Sequence, residues 1–62
     1  MPFIQINMLE GRTVEQKRGL AKLVTKSVSE ALGIAEQNVT IIIKDVPKTN
    51  FSQGGTLATD KQ

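Results

Sequence analysis

Ile41-Ile42-Ile43 is an unbroken apolar run within residues 39–46, VTIIIKDV, and it constrains the fold of this chain more than any other feature. A strand with one wet face alternates apolar and polar residues. A run without alternation belongs to a strand that is apolar, and therefore covered, on both faces. A chain of 62 residues has little material for such cover, because a domain of about this size buries only about 60% of the surface its unfolded form exposes. Small domains compensate with disulfides, metals or association. This one has no Cys and no His, which removes disulfides and zinc of the usual ligand sets. Association is the remaining route.

The rest of the pattern supplies one partner strand and one helix. Residues 3–9, FIQINML, alternate, with Ile4, Ile6 and Met8 on one side and Phe3, Gln5 and Asn7 on the other. Glu10-Gly11-Arg12 turns the chain, and Thr13 followed by Gln16 is a capping box that starts a helix. Leu20, Leu23, Val24, Ser27, Val28, Ala31 and Leu32 then recur as a narrow apolar stripe. Gly33 stands where a left-handed cap ends a helix running over about residues 14–32. Strand, long helix and strand make a β-α-β unit with parallel strands and a right-handed crossover. One helix covers one sheet face, so the other face must be covered by further copies of the chain. Residues 47–62 are polar, with a short hairpin expected around Gly54-Gly55, anchored by Phe51 and Leu57, and fraying expected over residues 59–62. The whole chain, 1–62, reads as one domain of α/β class.

Composition narrows the function. The net charge is +2, and Arg18, Lys22 and Lys26 line one side of the helix as a solvated face. Phe3 and Phe51 are the only aromatics, too few for base stacking, so no nucleic-acid partner is expected. No segment reaches the length of a membrane span and none resembles a signal peptide, so no membrane partner is expected either. The absence of Cys fits a cytoplasmic setting.

Three residues stand out chemically. Without His or Cys, the group best suited to move protons near neutrality is a terminal amine. An initiator Met followed by Pro is normally trimmed, which would leave Pro2 with a free secondary amine; with Met1 attached, its nitrogen is an amide and no base. Desolvation in an interface and a nearby guanidinium would both lower the pKa of that amine. Arg12 lies just ahead of the helix N-terminus, where it can grip a carboxylate through two charged hydrogen bonds, unless Glu10 or Glu15 engages it. Phe51 is either a hairpin anchor or an apolar wall that keeps water from the amine.

Pro2, Leu9-Glu10-Gly11-Arg12-Thr13 leading into Glu15-Gln16-Lys17, and Phe51 with Gly54-Gly55 stand in the order and spacing of the 4-oxalocrotonate tautomerase family. The chain resembles a small bacterial member from its start through about Leu57. The resemblance implies a β-α-β protomer assembled as a homohexamer, a trimer of dimers. It also implies cofactor-independent keto–enol tautomerisation of 2-oxo acids. By position, Pro2 resembles the general base, Arg12 the carboxylate-binding arginine supplied by a neighbouring subunit, and Phe51 the apolar wall. One departure matters. Members acting on dicarboxylates carry a second arginine where this chain has Thr40. Lys44 lies on the same face but about 13 Å farther along the strand, a poor substitute. A hydroxyl donates one hydrogen bond and neutralises nothing, so a substrate with one carboxylate is expected. Thr40 also leaves a non-catalytic binding or scaffold protein on the same fold as the alternative.

Overall fold

The computed structural model describes residues 1–61. Strand β1 (Phe3–Leu9) leads through a turn into helix α1 (Val14–Leu32), and the chain returns as β2 (Thr40–Val46), parallel to β1. The expected β-α-β order and helix boundaries are those observed. The register pairs Phe3 with Thr40, Ile4 with Ile41 and so on to Leu9 with Val46. Paired residues share a face, so Ile4, Ile6 and Met8 join Ile41 and Ile43 on one side, while Phe3, Gln5 and Asn7 join Thr40, Ile42 and Lys44 on the other. Burial follows that division: the first set is half-buried, whereas Phe3 is 64% and Ile42 44% exposed.

The helix begins as its sequence dictates. The Thr13 hydroxyl accepts the Gln16 amide at 3.0 Å, and the Gln16 side chain accepts the Thr13 amide at 3.0 Å. Such a cap contributes about 1 kcal/mol. Gly33 closes the helix in the left-handed conformation, with its amide on the Ser29 carbonyl at 2.9 Å. The apolar stripe is only partly covered in one chain. Leu20, Val24 and Val28 are half-buried, but Leu23 and Leu32 are 68% and 60% exposed. A single helix over two strands meets the sheet along one line of side chains, and the outer members of the stripe have no surface to lie on.

Two local expectations need correction. The second strand starts at Thr40, not Val39, because a 3-10 turn at Glu36–Asn38 takes the Val39 amide for the Glu36 carbonyl, at 3.0 Å. The C-terminal end is more ordered than expected: Ala58–Asp60 forms another 3-10 turn, closed by Lys61 N–H to Ala58 O at 3.2 Å, and Lys61 Nζ donates to Gln53 Oε1. Gln62, also expected to fray, lies outside the described residues. The hairpin itself is present. Strands β3 (Ser52–Gln53) and β4 (Thr56–Leu57) pair antiparallel around Gly54 and Gly55, whose φ values of 60° and 85° suit a tight two-residue loop.

Among the described residues, none is buried outright in the isolated chain. The radius of gyration is 14.7 Å, against about 10.6 Å for a compact chain of this length. The molecule measures 43 × 23 × 13 Å, a slab one sheet and one helix thick. Among the described residues, no strand or helix packs over the sheet face bearing Phe3 and Ile42, which stay exposed.

Candidate active site

Pro2 immediately precedes β1 and is half-buried, while Met1 before it is 90% exposed. The ladder extends one step past the strand: the Thr40 amide donates to the Pro2 carbonyl at 3.1 Å. Position 40 therefore opens β2 directly beside the start of β1. Pro2 and Thr40 are brought together, at the N-terminal ends of both strands.

Arg12 lies at the opposite end. It follows β1 in the turn where Gly11 adopts φ 120°, a value that favours glycine. Its side chain shares a shallow cavity of about 230 Å³ with Met8, Gln16, Lys17 and Leu20. The two carboxylates that sequence proximity offers it are engaged elsewhere. Glu15 accepts from Arg18 at 2.7 Å, and Glu10 Oε2 accepts the Lys48 amide at 3.1 Å. The other cation of the cavity, Lys17, is paired with Asp45 at 2.5 Å. Among the described residues Arg12 forms no ion pair, so its guanidinium is the cavity's unneutralised charge.

Phe51 comes after β2, past a 3-10 turn at Lys48–Asn50, and is half-buried; its carbonyl accepts the Ala58 amide at 2.7 Å, closing the hairpin. It thus belongs to the Arg12 end of the sheet in chain order. The four candidates divide into two pairs. Phe3 to Leu9 is six strand steps, about 20 Å, so Pro2 and Arg12 of one chain are farther apart than any side chain spans.

Two site features escaped sequence reasoning. The Lys17–Asp45 pair was readable in principle: Asp45 has the parity of Ile41 and Ile43, so it faces the helix, where a carboxylate calls for a cation. The Glu10–Lys48 hydrogen bond joins residues 38 positions apart and leaves no local signature. No helix among the described residues is long and apolar enough to cross a membrane.

A two-strand parallel β-α-β protomer with a C-terminal hairpin is the architecture of the tautomerases, and a family model described as a tautomerase enzyme matches residues 2–61. The chain belongs to the 4-oxalocrotonate tautomerase family. It is 47% identical over 60 residues to a 2-hydroxymuconate tautomerase from Comamonas testosteroni, covering 97% of this chain and 95% of that one. It is 44% identical over 61 residues to a probable tautomerase from Bacillus cereus, covering 98% and 100%. Among solved structures, a heterohexameric 4-oxalocrotonate tautomerase from Chloroflexus aurantiacus superposes with a TM-score of 0.93 at 34% identity, over 100% of both chains.

Proposed function

We propose that this protein is a cofactor-independent tautomerase that interconverts the enol and keto forms of a 2-oxo acid bearing one carboxylate. The general base is the secondary amine of Pro2, exposed once Met1 is removed. It takes a proton from the enol hydroxyl or from the carbon alpha to the ketone, and returns it at the other end of the three-atom system. Arg12 of a neighbouring subunit holds the carboxylate, Phe51 excludes water, and the Thr40 hydroxyl donates one hydrogen bond to the substrate oxygen. The separation of the candidates carries this reading. Pro2 and Thr40 stand about 20 Å from Arg12 within one chain, so a shared site needs the proline end of one copy against the arginine end of another. The bare sheet face supplies the drive for that association, and burying a side chain such as Ile42 contributes about 1.5–3 kcal/mol. A homohexamer, as a trimer of dimers, is the assembly proposed, and the cytoplasm its setting.

The test is an ultraviolet assay of enol-to-keto conversion over a panel of 2-oxo acids, phenylenolpyruvate-like and 2-hydroxydienoate-like compounds first. Pro2→Ala should fold normally and lose about 10²- to 10⁴-fold in turnover, the usual contribution of general base catalysis. An unchanged rate overturns the mechanism. The second reading, a non-catalytic oligomeric binding protein, draws on Thr40 and is favoured if mass spectrometry finds Met1 retained.

A further inference from the structure

Glu10 is fastened twice to the exit of β2. Its amide donates to the Val46 carbonyl at 3.0 Å, and its carboxylate accepts the Lys48 amide at 3.1 Å. Lys48 opens the 3-10 turn Lys48–Asn50, whose preceding residue, Pro47, offers no side-chain hydrogen bond to cap it. Glu10 therefore supplies from 38 residues away the cap that the local sequence lacks, and a carboxylate suits the amide end of a helical turn. On one side of this clamp, two residues on, stands Arg12; on the other, three residues on, stands Phe51. The same bond engages the Glu10 carboxylate with a backbone amide, while Arg12, two residues on, forms no ion pair among the described residues.

We propose that Glu10 is the positioning residue of the anion site: by capping Lys48 it locks the Arg12 turn to the Phe51 segment and leaves the guanidinium free for a substrate carboxylate. This rests on the reading of Arg12 as the carboxylate-binding group. Released from Lys48, a carboxylate at position 10 would compete with substrate for Arg12. Removed, it would leave the turn held by one backbone bond.

The experiment combines kinetics with amide exchange in the full-length protein. Glu10→Ala should raise KM for a one-carboxylate substrate about tenfold with kcat within about threefold, since the carboxylate that Arg12 holds is gripped equally in the ground and transition states. Glu10→Gln keeps an acceptor for the Lys48 amide and should restore KM to within about twofold of the parent. In an Arg12→Ala background, Glu10→Ala should add nothing, because its effect runs through the guanidinium. A full tenfold effect in that background overturns the proposal, as does failure of Glu10→Gln to rescue. Exchange of the Lys48 amide, followed by NMR, should quicken about tenfold in Glu10→Ala and not in Glu10→Gln, and unchanged exchange in both removes the clamp. If the parent turns over no 2-oxo acid, the tautomerase reading fails. The exchange data, with binding of a simple aromatic carboxylate to the same variants, still decide the role of Glu10: weaker binding only in Glu10→Ala supports it, and equal binding refutes it.

Discussion

The Thr40 amide donates to the Pro2 carbonyl at 3.1 Å, one step before the Phe3–Thr40 pair that opens the parallel ladder. Whatever side chain occupies position 40 is thereby held at a fixed distance from the residue proposed as the base. The hydroxyl found there carries no charge, so the proline end of the sheet is without a guanidinium of its own. The only free guanidinium charge in the candidate site comes from Arg12, at the other end.

Thr40→Arg should therefore broaden the enzyme toward dicarboxylates. A hydrogen bond to a charged partner contributes about 1.5–3 kcal/mol, equivalent to about a tenfold to hundredfold gain. The kcat/KM ratio for a dicarboxylic over a monocarboxylic 2-oxo acid should rise by that factor. An unchanged ratio would mean that position 40 does not face the substrate in the assembly.

Arg12→Ala should raise KM about tenfold to a hundredfold with a much smaller effect on kcat, because the carboxylate is gripped equally in the ground and transition states. Arg12→Lys should recover only part of the loss, since an ammonium lacks the two-pronged fit. Steady-state kinetics on one monocarboxylic substrate checks both. A fall confined to kcat would instead place Arg12 at the reacting oxygen.

Most of the fold was legible because it is written in local periodicities. The alternation over residues 3–9, the Thr13–Gln16 box, the Gly33 cap and the Gly54-Gly55 turn each depend on neighbours a few positions away. What was not legible depends on distant pairing. The exposure of Leu23 and Leu32 follows from how little sheet one helix meets, and the Glu10–Lys48 bond follows from the β2 exit reaching the Arg12 turn. The candidate site was half legible: Pro2, Arg12, Thr40 and Phe51 could be named as candidates, but their division between opposite sheet ends required the parallel register.

Ile42→Asp should dismantle the assembly. Ile42 shares the open face with Phe3, and an unpaired carboxylate there resists burial against a second sheet. Among the described residues, the isolated protomer has none fully buried to fall back on. Sedimentation should find small, largely unfolded species under conditions where the parent is oligomeric, with activity lost in parallel. A folded, active oligomer would show that this face is not the interface.

Asp45→Asn should separate stability from affinity. The Lys17 and Asp45 side chains are 26% and 43% exposed, and a pair so accessible to solvent contributes only about 0.2–1 kcal/mol. The melting temperature should therefore fall by a few degrees at most. Lys17, however, lines the same cavity as Arg12, and losing Asp45 leaves its ammonium unneutralised beside the guanidinium. Anion binding should tighten, lowering KM for a monocarboxylic substrate about threefold at low ionic strength. The gain should shrink as salt is raised, because at about 1 M the screening length is only about 3 Å. A variant that loses both stability and affinity would show that the ion pair shapes the cavity rather than masking its charge.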